Sequence, residues 1–270
     1  YLPGMSTSVW PSWQATFGNA LQTSIPKDPI NQLNNLMAWW KFDEGSGITV
    51  SDSSSLKNNG RMLNGSWRNS AECKSGSCGS FDGVSSYVEI PDAPSLDISN
   101  NLTISAWVNL TDVTGANDMN IILNKEQLGA CCAYEIGVSD TKGSIPKYHF
   151  AWYLAASGGD WSDGGFEIPR GIWTHVLLAY DGANIKTYMN GQLKGTYGPY
   201  VGVIPNSSTN LRIGARGDEG PANNTPDSFF KGFIDEVQIH NLALSGSEIA
   251  LLAGGGFSEA TGWNQDAGTF

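Results

Sequence analysis

Short segments in which apolar and polar residues alternate fill most of the chain after about residue 37. They are rich in β-branched and aromatic residues and are bounded by Gly, Asn, Asp or Pro, which is typical of half-buried β-strands. The clearest are LTISAWVNL (102–110), YEIGV (134–138), KYHFAWYLAA (147–156), WTHVLLAYDG (173–182), IKTYMNGQLKGTY (185–197), NLRIGAR (210–216) and FFKGFIDEVQIH (229–240). Many strands without intervening helices predict an all-β sandwich of two antiparallel sheets.

Two local signals mark the ends of predicted elements. In YMNGQL, Asn190 and Gly191 lie between two apolar-alternating arms, which predicts a hairpin with a type I′ turn. In LALSGSEIALLAGGG, Ser245 precedes Glu248 by three residues and a run of glycines begins at Gly254. This pattern predicts a short closing helix with a capping box at its start.

The first 36 residues differ in pattern from the rest of the chain. Trp13, Phe17 and Leu21 recur at a spacing of four, which predicts a short amphipathic helix broken by the prolines that follow. The predicted organisation is a helical and irregular segment at 1–36, a sandwich domain at 37–253 and an irregular tail at 254–270.

Composition narrows the classes of partner. The 270 residues can bury one sizeable core, and a net charge of −11 disfavours binding to nucleic acid or to an anionic membrane surface. No apolar run is long enough to span a bilayer, so we expect no membrane insertion by this fragment, which opens YLPGMSTSVW without a signal-peptide pattern. The excess of carboxylates does suit a hard cation such as calcium.

Four cysteines form two close pairs without the ligand spacing of a zinc site. Cys73 and Cys78 flank KSGS, a turn that a disulfide can close. Cys131 and Cys132 form either a vicinal bridge or two thiols on opposite sides of a strand. The pairs favour an oxidising setting, and we expect the protein to be extracellular or at the cell surface.

The order of seven segments resembles the laminin-G-like branch of the concanavalin A-like jelly rolls, over about residues 38–253. These segments are AWWKFDEGSG, VSDSSSLKNNG, GSFDGVSSYVEIP, LTISAWVNL, WTHVLLAYDGANIKTYMNGQLKG, LRIGA and FKGFIDEVQIHNLALSGSEI. The resemblance implies a jelly-roll sandwich with its N- and C-terminal strands side by side. Members of the superfamily bind glycans, proteins or calcium, and some branches hydrolyse polysaccharides.

A second, shorter resemblance concerns the beginning of the chain. The segment VWPSWQATFGNALQTSIPKDPINQL is similar to a segment of bacterial type IV pilin-like proteins that carries a Trp-rich helix. The similarity implies that the sandwich is displayed on a pilin-like stalk.

The acidic doublet of Asp235 and Glu236 decides between an enzyme and a binding module. Successive side chains of a regular strand point to opposite faces, so the two acids are not expected to form a catalytic pair. Retaining glucanases with this sandwich carry their acids as E-x-D-x-x-E, and the corresponding positions here are Phe233, Asp235 and Gln238. Because two of the three carboxylates are missing, we predict no catalytic residue and no enzymatic activity.

The resemblance implies another role for Asp235, in a structural calcium site between the first and last strands. Asp43 and Asp235 would supply carboxylates and Asp52 a third, with backbone carbonyls from the loop around Asn59 and Gly60. The alternative is that Asp235 accepts backbone N–H groups without a metal.

A glycan site needs an exposed aromatic plane with acceptors nearby, and residues 149–167 are the best place for one. Alternation puts Phe150, Trp152 and Leu154 in the core, and Tyr153 on the other face, beside a Gly-rich loop. The predicted ligand-binding residues are Tyr153, Asp160, Trp161 and Asp163. The alternative is that Trp161 only packs on the edge of the sandwich.

Three functions are compatible with the sequence. The first is a non-catalytic recognition module for glycan or protein ligands at the cell surface, stabilised by calcium and belonging to a pilin-like adhesin. The second is a polysaccharide hydrolase that uses carboxylates on the concave sheet. The third is a structural subunit of a surface filament. The sequence does not determine the oligomeric state.

Overall fold

The computed structural model describes residues 35–113, 119–127, 130–141, 147–158, 161–217 and 226–254. The chain divides into two units, Tyr1–Asn34 and Asn35–Phe270, and the second unit forms the sandwich. The predicted N-terminal helix and the pilin-like segment lie outside the described residues, as does the tail from residue 255, so these three remain predictions.

Strands make up about half of the described residues. In chain order they are β1 (Leu36–Trp40), β2 (Thr49–Val50), β3 (Gly60–Leu63), β4 (Ser66–Arg68), β5 (Cys78–Asp82), β6 (Tyr87–Ile90), β7 (Leu102–Asp112), β8 (Met119–Gln127), β9 (Ala130–Thr141), β10 (Lys147–Leu154), β11 (Ser162–Glu167), β12 (Thr174–Tyr180), β13 (Ile185–Met189), β14 (Gln192–Tyr197), β15 (Leu211–Ile213) and β16 (Lys231–His240). An α-helix, α1 (Gly246–Ala253), follows the last of them.

The strands form two antiparallel sheets. The first has the order β14-β13-β12-β7-β16-β5-β4, with β1 also paired to β16, and the second has the order β11-β10-β9-β8-β15-β6-β3-β2. The pairing of β1 with β16, with Trp40 opposite Val237, puts the first and last strands side by side. The prediction of an all-β jelly-roll sandwich is confirmed.

The hydrophobic core lies between the two sheets and is supplied by alternate residues of their strands. The predicted core residues Phe150, Trp152 and Leu154 are fully buried in it. Trp152 contacts Tyr197 of the first sheet, with ring centroids 5.4 Å apart. Because alternate residues of β10 are committed to this core, the residues between them face outward.

Both local predictions of turn and cap are confirmed. Asn190 and Gly191 have φ values of 50° and 78°, as a type I′ turn between β13 and β14 requires. At the start of α1 the Ser245 hydroxyl accepts from the Glu248 N–H, and the Glu248 carboxylate accepts from the Ser245 N–H at 2.7 Å. This capping box satisfies two backbone donors at the helix N-terminus.

The structure contains a disulfide between Cys73 and Cys78, as the KSGS turn predicts. The side chain of Cys131 lies outside the described ones, so the prediction for Cys131 and Cys132 stays open. In the part of the chain that the structure describes, no helix has the length and apolarity needed to cross a membrane.

Candidate functional site

A pocket of about 150 Å³ lies on the outer face of the second sheet, and we call it the Trp161 pocket. Its lining residues come from four strands, β8 to β11, and from the loop before β11: Met119, Ser139, His149, Ala151, Trp161, Ser162 and Asp163. Two of the four residues predicted to bind ligand, Trp161 and Asp163, are therefore brought together. Asp160 lies outside the described residues.

The pairing of β10 with its neighbour β11 creates this pocket. Ala151 is opposite Asp163 across the two strands and points away from the core that holds Phe150 and Trp152. Its side chain is only a methyl group, which leaves space over the sheet. The indole of Trp161 packs at this position against a small apolar cluster of Met119, Ile121 and Ala151, and remains partly exposed.

Two side chains fix the indole ring of Trp161. The ring of Tyr153 lies 6.0 Å away at an angle of 55°, and the Arg216 guanidinium lies 5.1 Å from the indole centroid. Tyr153, another of the predicted ligand-binding residues, is itself buried and packs against Trp161. An arginine beside an indole ring contributes a cation–π interaction that strengthens as water is excluded.

Arg216 is held in turn by a buried carboxylate. Its Nη2 lies 2.8 Å from Glu135 Oε1, its Nε lies 3.2 Å from Oε2, and the Glu135 side chain is fully buried. The side chain of Asn124 also donates to Glu135. Burial raises the pKa of Glu135, an effect that the guanidinium opposes. The two-point ion pair fixes the guanidinium plane and therefore preorganises Trp161.

A polar edge lies beside the indole. The Asp163 carboxylate accepts from the Gly165 N–H at 2.6 Å, and its other oxygen lies 2.7 Å from His149 Nδ1. The Asp163 side chain is 54% exposed, so lone pairs on it remain available to a ligand. An aromatic plane next to an oriented carboxylate is an arrangement that suits a sugar ring with hydroxyl groups at its edge.

On the other sheet, Asp43, Asp235 and Glu236 form an acidic cluster next to the disulfide loop 73–78. Asp235 is fully buried, and its Oδ2 accepts from the backbone N–H groups of Lys74 and Ser75 at 3.2 and 3.0 Å. Oδ1 of Asp43 accepts from another N–H group of this loop at 3.2 Å. Asp235 and Asp43 therefore anchor the loop next to the first sheet.

The predicted alternation of Asp235 and Glu236 is wrong. Asp235 is opposite Trp107 of β7, but Gln238 is opposite Ser105, so β16 contains one residue more than its partner there. Glu236 has a φ of 52° at this β-bulge. A bulge re-aims the side chains around it, so strict alternation does not apply. Glu236 points to the same pocket as Asp43, and its carboxylate accepts from the Trp39 indole N–H at 2.6 Å.

Burial and neighbouring charges raise the pKa values of two acids of this cluster, Asp235 and Glu236. The pKa of Asp235 is raised to about 8, chiefly by burial and further by the charges of Glu236 and Asp43, while the loop N–H groups oppose the shift. Burial also raises the pKa of Glu236. At neutral pH most of Asp235 is therefore protonated, which lowers the negative charge under the loop.

Of the three predicted calcium ligands, Asp52 does not join Asp43 and Asp235. Asp52 lies in its own loop, where its carboxylate accepts from the N–H groups of Trp39, Ser54 and Asn58 at 2.7–2.9 Å. The loop presents N–H donors to Asp235, whereas calcium requires oxygen ligands. Among the described residues no three His, Cys, Asp or Glu side chains are arranged to hold a metal ion. The residues present do not fit calcium, and the geometry matches the alternative of N–H acceptance by Asp235.

A family model places this chain among known proteins. The model Laminin_G_3, described as the concanavalin A-like lectin/glucanases superfamily, matches residues 82–250, more than half of the chain. The chain belongs to the Laminin_G_3 family. A search of curated proteins found no match.

Solved structures share the Laminin_G_3 sandwich of this chain. Domain 4 of AbnA, a GH43 extracellular arabinanase from Geobacillus stearothermophilus solved with arabinotriose, is 23% identical with a TM-score of 0.60, over 81% of this chain and 98% of that one. The binding domain of Paraclostridial Mosquitocidal Protein 1 is 16% identical with a TM-score of 0.60, over 82% and 52%. The receptor-binding domain of botulinum neurotoxin C/D mosaic serotype is 12% identical with a TM-score of 0.59, over 83% and 52%.

At these identities the similarity establishes a common fold. The chain spans about half the length of the two toxin domains.

Sequence reasoning missed the residues that support Trp161 in this Laminin_G_3 domain. Arg216 and Glu135 are far apart in the chain and meet because β15 and β9 both pair with β8. One signal was present: Arg212 and Arg216 interrupt the apolar segment NLRIGAR, and buried arginines require acidic partners.

Proposed function

We propose that this chain is a non-catalytic, extracellular recognition module in which the Trp161 pocket binds one sugar ring of a glycan. One observation carries the proposal: a partly exposed indole is fixed by Tyr153 and by the paired Arg216, and the carboxylate of Asp163 lies beside it. Sugar rings present C–H groups on their faces, which pack on aromatic planes, and hydroxyl groups at their edges, which donate to carboxylates.

The comparisons support this proposal at the level of the fold. The arabinanase domain was solved with arabinotriose, and both toxin structures are described as binding or receptor-binding domains. The disulfide at Cys73–Cys78 supports an extracellular setting. Display on a pilin-like stalk follows from the resemblance of the first residues and extends the same proposal.

The charge of the site favours a neutral glycan over an anionic one. Asp163 is exposed at the edge of the pocket, and Glu167 lies 3.8 Å from the ring of His149. The net charge of −11 adds repulsion at longer range. Arg216 does not reverse this balance, because Glu135 already pairs with it.

Binding to a panel of soluble neutral polysaccharides tests the proposal, with arabinan, xylan and β-glucan as probes in affinity electrophoresis. Trp161→Ala is expected to weaken binding at least ~10-fold, because the aromatic plane is lost. Trp173→Ala is the matched control, since Trp173 is also a partly exposed tryptophan but lies next to the first sheet and contacts Phe233. Equal loss in both variants, or no binding by the wild type, would contradict the proposal.

A second candidate, polysaccharide hydrolysis, is favoured by one observation. Asp43 and Glu236 line one pocket, and burial raises the pKa of Glu236, as a general acid requires. Release of reducing sugar from the same panel, abolished in Glu236→Gln, would establish this activity. The recognition proposal predicts no release by either protein.

A further inference from the structure

The pocket lined by Asp43 and Glu236 also has a polar floor, whose residues are not part of the acidic cluster. It lies on the outer face of the first sheet, between β1, β7, β12, β16, α1 and the disulfide loop, and has a volume of about 170 Å³. We call it the Ser105 pocket. Pockets for drug-sized ligands are roughly 300–1,000 Å³, so this one has room for a single small ring.

Two buried polar atoms on the floor have no hydrogen-bond partner among the described residues. They are Ser105 Oγ and His175 Nδ1, and both residues are 1% exposed. The pKa of His175 is lowered to about 3, by burial and by the charge of Lys74, so the imidazole is neutral. An unsatisfied buried polar group costs about 1–3 kcal/mol, which a polar occupant of the pocket would recover.

The rim carries opposite charges in equal number. Asp43 and Glu236 provide two carboxylates, and Lys41 and Lys74 provide two ammonium groups. Asp235, next to the rim, is mostly protonated at neutral pH because its pKa is raised to about 8. A charged ligand would upset this balance, whereas an uncharged one with several hydroxyl groups can bond to both kinds of group.

The aromatic walls differ from the indole of the Trp161 pocket. Lys41 Nζ lies 4.2 Å from the ring centroid of Trp39, and Lys74 Nζ lies 3.9 Å from that of Trp107. These ammonium groups cover the indole faces that a sugar ring would stack on. Binding here must therefore depend on hydrogen bonds to hydroxyl groups.

We propose that the Ser105 pocket is a second ligand site, which binds one terminal, uncharged sugar residue through its hydroxyl groups. A hydroxyl group both donates and accepts, so it can satisfy Ser105 Oγ and His175 Nδ1, and also the carboxylates and ammonium groups of the rim. Because the pocket is small, it accommodates only the sugar residue at the end of a glycan chain. The Trp161 pocket lies on the opposite sheet. The module then contacts glycan on two faces, and this second site does not depend on the first.

NMR titration of the 15N-labelled protein tests this site separately from the Trp161 pocket. The probes are glucose, galactose, xylose and arabinose, with glucuronate and glucosamine as charged controls, up to ~100 mM because single sugars bind weakly. At least one neutral sugar is expected to give saturable shifts at the amides of Ser105, Lys74 and Gln238. The same titration of Trp161→Ala should give the same shifts.

Two variants localise the binding. Ser105→Ala removes a hydroxyl without a described partner, so the fold should be unchanged while affinity falls roughly tenfold. Asp43→Asn should have a similar effect. Absence of saturable shifts at these amides, or stronger binding of a charged control, would overturn the proposal. Shifts caused by calcium chloride instead of sugar would also overturn it, as would sugar release that Glu236→Gln abolishes.

Discussion

The outer faces of the two sheets hold their charges in different ways. On the second sheet, Glu135 and Arg216 are buried and paired side chain to side chain at 2.8 Å. On the first sheet, Asp235 is equally buried, but backbone N–H groups of a disulfide-closed loop hold it. The direct ion pair fixes an aromatic plane, whereas the loop-held acid has a pKa raised to about 8. One face therefore holds a preorganised indole ring, whereas the buried acid on the other face changes its charge near pH 8.

The largest expected effect comes from breaking the buried ion pair. Arg216→Ala leaves the Glu135 carboxylate buried without its cation, which should lower the free energy of unfolding by about 3–5 kcal/mol in urea denaturation. Arg170→Ala is the matched control, because Arg170 is 55% exposed and lies 3.6 Å from Asp112, and it should cost less than ~1 kcal/mol. Similar losses in the two variants would show that the buried pair has no special role.

Opening the disulfide should cost less and should affect only the first sheet. In Cys73→Ser/Cys78→Ser the short loop is no longer closed, so the free energy of unfolding should fall by about 2 kcal/mol. Glycan binding in the Trp161 pocket should not change, since the loop packs on the other sheet. Loss of that binding in affinity electrophoresis would mean that the two faces are coupled.

The third effect is a dependence of stability on pH. The folded-state pKa of Asp235, about 8, lies above its ordinary value, so between pH 6.5 and 8 the folded state binds more protons than the unfolded state. The free energy of unfolding should fall over this range, by at most about 1.4 kcal/mol per pH unit. The lowered pKa values of His175 and His240 affect the free energy of unfolding only below about pH 6.5.

Asp235→Asn isolates this contribution, because the asparagine side chain has nearly the same shape but does not titrate. Urea denaturation at pH 6.5, 7.2 and 8 should show a falling stability in the wild type and a smaller slope in the variant. Equal slopes would mean that Asp235 is ionised throughout.

The smallest expected effect is that of calcium. Because two loop N–H groups donate to Oδ2 of Asp235 and Asp52 is used in its own loop, melting curves with calcium and with EDTA should coincide. A higher melting temperature in calcium that Asp235→Asn abolishes would restore the metal site implied by the family resemblance.

The sequence predicted the features that depend on local pattern. The alternation of side chains along 147–156 predicted the core residues of β10. The turn at Asn190 and the cap at Ser245 each depend on residues within four positions. Trp161 and Asp163 meet because they are close in the chain, at a strand beside β10. These signals are contained in a short window, so no knowledge of the sheet order is needed.

What the sequence could not predict depends on partners far along the chain. The bulge at Glu236 arises where β16 pairs with β7, more than a hundred residues away, and Glu is not a residue that signals a positive φ. The support of Trp161 by Arg216 requires the order of strands in the second sheet. Asp52 was predicted as a calcium ligand, and only the structure shows that the Trp39 N–H and the Ser54 hydroxyl already donate to its two oxygens.

Isothermal titration of a neutral oligosaccharide into the wild type, Trp161→Ala and Trp173→Ala tests the central claim most directly. The oligosaccharide is derived from the polysaccharide that slows the migration of the wild type in affinity electrophoresis. The account predicts that Trp161→Ala binds at least ~10-fold more weakly while Trp173→Ala keeps the affinity of the wild type. Unchanged affinity in Trp161→Ala, with an intact melting transition, would contradict it.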